Sequence, residues 1–281
     1  MSRLSIPKTY KLFIGGKFPR TESGRVTELT VEGQFVANVC QASRKDLRNA
    51  VTAARGAFDG WAGSSAYLKG QILYRIAEVL DGRASQFIEE LVAQGVSGDD
   101  ARGEVEAAID LLVHYAGWSD KYQALFSTVN PVASPHFNFS RPEPMGVVGI
   151  IAPRHSGLAG LVSVLAPAIV GGNACVVLAS GDYPLTAISL AEVLATSDVP
   201  GGVVNLLTGS VDELAVEFAK HRDINALLMC GGSAELRKTV EIEAADNLKR
   251  VSLLDDGLVP GNPYSILDLN ETKTTWHPVG V

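Results

Sequence analysis

The sequence predicts the α/β fold class, with a doubly wound parallel sheet as its core. Two observations predict it: continuous apolar runs rich in β-branched residues from residue 145 onward, and segments of helical periodicity between them. Such runs are typical of strands covered on both faces, and right-handed crossovers then give a Rossmann-like sheet. The predicted strands are "GVVGIIA" (146–152), "ACVVLA" (174–179), "GVVNLL" (202–207), "INALLM" (224–229) and "LKRVSLL" (248–254). The helices between them are expected near 157–170, 184–196, 210–220 and 233–245.

A layer of helices is predicted ahead of this core, within residues 1–129. The stretch "KLFIGGKF" (11–18) places two short strands around a Gly-Gly turn, which is a hairpin pattern. Ser43 followed by Asp46 predicts a capping box at the start of the first helix. Four apolar helix faces then require burial against a neighbour. Their residues are Leu47, Val51, Ala54 and Phe58; Leu68, Ile72, Leu73, Ile76 and Leu80; Phe87, Ile88, Leu91 and Val92; and Val105, Ile109, Leu112 and Tyr115.

The segment 130–144, "NPVASPHFNFSRPEP", fits neither part of the chain. Its centre, "HFNFSR", alternates like a half-buried strand, and prolines stand on both sides of it. Proline disfavours the middle of a sheet, so the pattern predicts an edge strand or an excursion from the body. We therefore expect a protruding β arm, with Phe137 and Phe139 on an unpaired strand that invites another strand.

Composition and charge exclude several classes of function. The chain has 281 residues and a formal net charge of −7, with a pI near 5.3. This balance disfavours nucleic acid or an anionic membrane as a partner. The three cysteines (Cys40, Cys175, Cys230) are too few and too scattered for a disulfide framework or a zinc site, and no metal site is predicted.

The N-terminus, "MSRLSIPKTYKLFIGGKFP", lacks the long apolar core of a signal peptide. The charge-free stretch 156–181 is interrupted by Pro167 and the turn at 171–173, so a buried helix and strand explain it better than a membrane span. We expect a soluble cytoplasmic protein. Met1 and the intact N-terminal segment predict a complete chain.

Ligands of such sheets bind at the carboxyl ends of the strands, so the residues that follow each strand are candidates for a site. "TGSVDE" (208–213) and "CGGSAELRK" (230–238) each place glycine before a capping serine. Either helix start could receive a phosphate, but an ordinary capped helix after a glycine turn is the favoured interpretation of both patterns. His155 is a candidate base or a plain turn residue. Cys230 is a candidate nucleophile or a buried apolar side chain of the core. Asp255 and Asp256 fit a polar turn better than a metal site.

The order of several stretches resembles the cofactor-binding part of the aldehyde dehydrogenase superfamily over nearly the whole chain. They are "KLFIGGKF", "AVTAARGAFDGW", "RPEPMGVVGIIAP", "LAPAIVGGNACVVL", "PLTAISLAEVL", "VPGGVVNLLTG" and "NLKRVSL". The resemblance implies a sheet that binds NAD or NADP without a G-x-G-x-x-G fingerprint, a motif that this sequence also lacks. It assigns to the cofactor the positions Pro153, Asp182, Gly209, Gly231 and Ser233.

The functional positions depart from the family pattern. His155 stands where the family's P-W-N-F-P has the Asn that donates to the oxyanion, and Leu254 stands at the general-base Glu of L-E-L-G-G. Ala179 replaces the Lys and Asp182 the Glu that hold the adenosine ribose, although Asp182 could still accept from a ribose hydroxyl. Gly232 replaces the Ser of the family's G-S-T phosphate turn.

The family's nucleophilic Cys follows that Glu by about 35 residues in a separate catalytic domain, and this sequence ends at Val281 before that point. The pattern resembles the shortened, degenerate second unit of tandem family members. The leading hypothesis is therefore a subunit without catalytic residues, with His155 and Leu254 as vestigial positions and with weak or lost NAD(P) binding. The alternatives are an NAD(P)-dependent aldehyde oxidoreductase using His155 or Cys230, and a nucleotide-binding sensor. The expected partners are a second copy or a full-length aldehyde dehydrogenase, bound through 130–144 and 233–245.

Overall fold

The computed structural model describes residues 8–257 and 259–280. In chain order its strands are β1 (Thr9–Tyr10), β2 (Val26–Val31), β3 (Gln34–Cys40), β4 (Thr128–Asn130), β5 (His136–Pro144), β6 (Val147–Ile151), β7 (Ala174–Leu178), β8 (Val204–Leu207), β9 (Ala226–Cys230), β10 (Arg250–Leu254) and β11 (Asn270–Pro278). Its helices are α1 (Arg44–Ala62), α2 (Ala66–Gly82), α3 (Ala84–Ala93), α4 (Gly98–Trp118), α5 (Tyr122–Phe126), α6 (Ala159–Val170), α7 (Pro184–Ala195), α8 (Val211–Lys220), α9 (Ala234–Ala245) and α10 (Tyr264–Leu267).

The predicted parallel sheet is confirmed. Its five strands are all parallel and lie in the order β10-β9-β6-β7-β8. The first of them in the chain, β6, lies in the middle; β7 and β8 follow on one side, and β9 and β10 on the other. Strands β6, β7, β8 and β9 are buried at every position, because helices cover both faces. This is why their sequences are continuous apolar runs without alternation.

The helical layer of the N-terminal part is also present. Ser43 and Asp46 form the predicted capping box of α1, since each side chain accepts from the other's backbone N–H. Most of the predicted apolar residues of these helices are buried in the core. Phe58, Ile88 and Ile109 are partly buried. Leu68 and Val92 are exposed over 43% and 45% of their surface, so the apolar faces of α2 and α3 are narrower than the sequence predicts.

The predicted hairpin at residues 11–18 is present as a tight turn, although its two sides are too short to form regular strands. Gly15 and Gly16 form the turn with left-handed backbone (φ +60° and +76°), and backbone hydrogen bonds join Ile14 with Lys17 and Leu12 with Pro19 across it. The backbone of Phe13 pairs with Leu206 at the edge of the parallel sheet, through N···O distances of 2.9 and 2.8 Å. Successive residues of an extended segment direct their backbone groups to opposite sides, so the hairpin contacts and the sheet contact occur together.

The expectation of an unpaired arm strand is wrong. Strand β5 lies in the middle of a three-stranded antiparallel sheet with the order β11-β5-β4, which we call the arm sheet. Strand β11 pairs with β5 at nine positions, from Asn270 opposite Pro144 to Pro278 opposite His136. Strand β4 pairs only with residues 138–140, so beyond Ser140 β5 has a partner on one side alone. Pro142 and Pro144 fall in that part, where a missing N–H is tolerated.

The charge-free stretch 156–181 folds as helix α6, a turn and strand β7, as the sequence predicts. Every residue of α6 and β7 is buried inside the protein. In the part of the chain that the structure describes, no helix combines the length and the apolar character that crossing a membrane requires.

Candidate functional site

The five parallel strands end at one edge of the sheet, and the predicted site positions lie in the loops there or, for Cys230 and Leu254, at the last residue of a strand. Pro153 to Ser156 follow β6, residues 179–182 follow β7, residues 208–210 follow β8, residues 231–233 follow β9, and residues 255–257 follow β10. The sheet order places the loop after β6 in the centre, with the β7 and β9 loops on either side. The fold therefore gathers residues that are up to about a hundred positions apart in the sequence.

A charged cluster fills the centre of this edge, and we define it as Arg154, His155, Asp182 and Asp256. The Nε of Arg154 donates to both carboxylate oxygens of Asp182, at 3.0 and 2.9 Å. The backbone N–H of Arg154 donates to Asp256. The imidazole of His155 lies between the two acids, with Nδ1 3.5 Å from Asp182 Oδ2 and Nε2 3.6 Å from Asp256 Oδ2. The hydrogen bond and charge of Asp182 raise the pKa of Arg154.

The position predicted to hold a ribose, Asp182, is thus engaged within the chain. Ser180 fixes this arrangement, because its hydroxyl donates to the carbonyl of Arg154 at 2.6 Å and accepts from the backbone N–H groups of Asp182 and Tyr183. The two loops that follow β6 and β7 are therefore tied together by side chain and backbone. Sequence reasoning did not identify Ser180 or Arg154 as members of the site.

A second residue that sequence reasoning missed is Glu104 of α4. Its Oε1 accepts from the Ser156 hydroxyl and from the backbone N–H groups of Leu158 and Ala159, at 3.0, 2.7 and 3.2 Å. N–H groups at the start of a helix have no acceptor within the helix, and groups of this kind bind anions. The only hint in the sequence is that Leu158, which precedes α6, cannot cap it. Glu104 thus places a carboxylate from another helix at the start of α6.

The glycine turn after β9 is shaped by backbone geometry and by a close contact. Gly231 and Gly232 are both left-handed (φ +66° and +88°), a conformation that favours glycine. A Cβ on Gly231 would lie 2.8 Å from the carboxyl carbon of Asp256, so this aspartate packs directly against the turn. Ser233 caps its own helix by accepting from the N–H of Leu236.

Gly209 lies apart from this turn. It follows β8 at one side of the sheet, and Gly231 follows β9 on the far side of β6 and β7. Three strand spacings separate them, which is roughly 14 Å. Ser210 caps α8, and the neighbouring loop is closed against Ala42, whose N–H donates to the Thr208 carbonyl at 2.8 Å. The two glycine turns therefore do not combine into one small site.

Cys230 and Leu254 face each other in the ladder between β9 and β10. Cys230 is 4% exposed, and burial, together with the charge of Asp256, raises the pKa of its thiol to about 12. Such a thiol is almost entirely protonated at neutral pH, and the side chain of Leu254 has no group that could remove its proton. The structure supports the interpretation of Cys230 as a buried apolar side chain of the core. In the described residues, no group of three or more potential ligands could hold a metal ion.

The comparisons with known proteins agree with this architecture. A sequence model described as the Aldehyde dehydrogenase family matches residues 21–261. Cytosolic 10-formyltetrahydrofolate dehydrogenase of Mus musculus is 30% identical over 279 residues, covering 96% of this chain and 31% of the relative. An aldehyde dehydrogenase of Aspergillus niger is 30% identical over 275 residues, covering 96% of this chain and 54% of the relative.

A solved structure is similar in three dimensions as well. The NAD+ complex of an aldehyde dehydrogenase from Bacillus cereus superposes with a TM-score of 0.83 at 26% identity, covering 88% of this chain and 51% of that chain. The chain thus spans between about a third and a half of the length of these proteins.

Proposed function

Since this chain belongs to the aldehyde dehydrogenase family, we propose that it is a non-catalytic member, a subunit or scaffold that assembles with itself or with a full-length aldehyde dehydrogenase in the cytoplasm. The observation that carries the proposal is the charged cluster at the centre of the sheet edge. Its donors and acceptors are engaged with one another across three loops. This arrangement stabilises the edge and leaves few free donors and acceptors with which a substrate could form hydrogen bonds.

The chemistry of the family requires a thiolate, a base and an oxyanion donor that act as a unit. Cys230 is buried, and Leu254 has no ionisable group. His155 is 65% exposed and faces two carboxylates rather than a thiol. Each of the three roles is thus unfilled or altered, which favours a structural function over turnover.

The same edge disfavours a dinucleotide. Glu104, Asp182 and Asp256 place three carboxylates where a pyrophosphate would need donors and positive charge. Arg154 neutralises one of them, and the N–H groups at the start of α6 already donate to Glu104. We therefore propose that binding of NAD or NADP is weak or lost.

Calorimetric titration of the purified chain with NAD and NADP is expected to show no saturable binding up to about 1 mM nucleotide, that is, less than about 4 kcal/mol of binding free energy. A full-length aldehyde dehydrogenase serves as the positive control. A dissociation constant in the micromolar range would favour the second candidate, a nucleotide sensor. Arg154→Ala would then be compared with wild type, because it frees the Asp182 carboxylate to accept from a ribose.

The surfaces proposed for assembly are the arm sheet and α9. On one face of the arm sheet the side chains of Val129 and Phe137 are 67% and 46% exposed, and Phe139 packs on Phe137 with ring centroids 5.6 Å apart. On α9 the side chain of Ile242 is 60% exposed. Exposed apolar groups of this size are typical of protein interfaces.

Sedimentation velocity at micromolar concentration tests the assembly. Wild type is expected to sediment as an oligomer, alone or after addition of a full-length family member, because burial of these apolar side chains drives association. Phe137→Glu combined with Ile242→Glu is expected to weaken assembly at least tenfold. Tyr67→Glu, at a residue 72% exposed on α2, is the matched control and should leave it unchanged. A monomer under both conditions, or assembly that the double variant does not alter, contradicts the proposal.

A further inference from the structure

A cavity of about 630 Å³ lies where the arm sheet meets the helical layer. The end of α1, the start of α2, helix α5 and the last residues of β5 form its walls. Lys69 lines this cavity although only 6% of its surface is exposed. Lysine is rarely buried to this extent without a partner of opposite charge.

The charge of Lys69 is poorly compensated within the chain. Its Nζ donates to the carbonyl of Ala62 at 3.2 Å and lies 5.9 Å from the centre of the Trp61 ring. Across the described ranges 8–257 and 259–280, no carboxylate lies within 4.0 Å of it. One carbonyl leaves two of the three ammonium protons without an acceptor. Burial lowers the pKa of this lysine, as expected for an ammonium group removed from water.

The position of Lys69 in its helix adds to the surplus of positive charge. It is the fourth residue of α2, whose cap Ser65 also lines the cavity. The start of a helix carries a partial positive charge, and an anion rather than a cation is stabilised there. Lys69 therefore sits at the unfavourable end of α2 unless an anion accompanies it.

The other charged groups of the cavity do not offset Lys69. Glu143 contributes a carboxylate to the cavity wall. This carboxylate is already paired with Arg141 at 2.6 Å and with Lys273 at 3.3 Å. The Arg141 side chain lines the cavity and is about half exposed, so its guanidinium stands at the rim. Two cations thus line this space, together with one carboxylate that two basic residues share.

We propose that this cavity binds a small metabolite through a carboxylate or phosphate group, with Lys69 as the buried counter-ion and Arg141 at the entrance. The bound oxyanion accepts from the free N–H donors of Lys69 and lies close to the start of α2. The volume accommodates a ligand larger than a lone phosphate, and Phe58 and Val170 provide apolar contacts for its remaining part. This site is separate from the sheet edge and does not depend on whether the chain has catalytic activity.

Titration of the full chain with inorganic phosphate and, separately, with acetate tests this proposal, with sodium chloride at equal ionic strength as the salt control. At least one anion is expected to bind with a dissociation constant of about 10 mM or below and to raise the Tm. The two titrations distinguish a phosphate from a carboxylate preference. Lys69→Met is expected to weaken binding at least tenfold. Lys121→Met, at a lysine on the protein surface outside this cavity, is the matched control and should bind as wild type does.

Arg141→Gln is a second test variant for the case in which Lys69→Met fails to fold. Arg141 lies at the rim of the cavity, where its replacement does not disturb the buried core. This variant is expected to weaken anion binding about threefold and to leave the fold intact. A Tm that responds to phosphate and acetate no more than to chloride would overturn the proposal and leave Lys69 with only its contact to the end of α1. Equal anion binding by wild type and Arg141→Gln, or by wild type and a folded Lys69→Met, would overturn it as well.

Discussion

Purified chain supplied with NAD or NADP and an aldehyde is expected to form no reduced nucleotide above the rate measured without protein. The reason lies in Cys230, which ends strand β9 opposite Leu254. With a pKa of about 12, its thiol is ionised to about one part in 10⁵ at pH 7. Absorbance at the wavelength of the reduced nicotinamide measures the rate directly, and a full-length aldehyde dehydrogenase in the same assay shows that the conditions support turnover.

The pH dependence makes this prediction sharper. Raising the pH from 7 to 9 is expected to leave the rate at background, since a thiol of pKa about 12 is still only about 0.1% ionised there. Cys230→Ala should behave like wild type. Turnover by wild type that Cys230→Ala or His155→Ala abolishes would show that the chain is an enzyme, and the non-catalytic proposal would then be abandoned.

Ending the chain after Asn270 is expected to dismantle the arm sheet. This truncation removes eight of the nine residue pairs between β11 and β5 and leaves β5 with only the three-residue strand β4. Cross-strand pairs contribute a few tenths to one kcal/mol each, so the free energy of unfolding should fall by roughly 2 kcal/mol or more. Two-stranded ribbons are marginal in water, and the β5 amides should exchange with solvent orders of magnitude faster.

Hydrogen exchange followed by mass spectrometry checks this result peptide by peptide. The matched control ends the chain after Pro278, which keeps all nine pairs and should protect β5 as wild type does. Peptides from β6 and β7 are an internal reference, because the parallel sheet does not depend on β11. Unchanged protection of β5 after the longer truncation would show that the arm holds its structure without β11. Sedimentation of the same two variants measures how far assembly depends on the arm sheet.

The amino-acid sequence by itself determined the central sheet and the layers on it. The apolar runs of β6, β7 and β9 are buried on both faces, and this requirement is visible in the run itself, without knowledge of its neighbours. The capping box at Ser43 and the turn at Gly15 are equally local, since the groups involved lie within a few residues of one another. Membership of the family was likewise predicted from short stretches in their order along the chain.

The tertiary structure alone decided which groups meet from distant parts of the chain. The pairing of Phe13 with Leu206, and of β5 with β11, joins segments more than a hundred residues apart, and backbone hydrogen bonds carry no sequence signature of their partner. Glu104 reaches the start of α6 from another helix, and Asp182 and Asp256 meet at Arg154 because their strands are neighbours of β6 or lie close to it. The uncompensated charge of Lys69 is also visible only in the tertiary structure. Its burial and the absence of a nearby carboxylate among the described residues depend on the packing of the molecule and not on the local sequence.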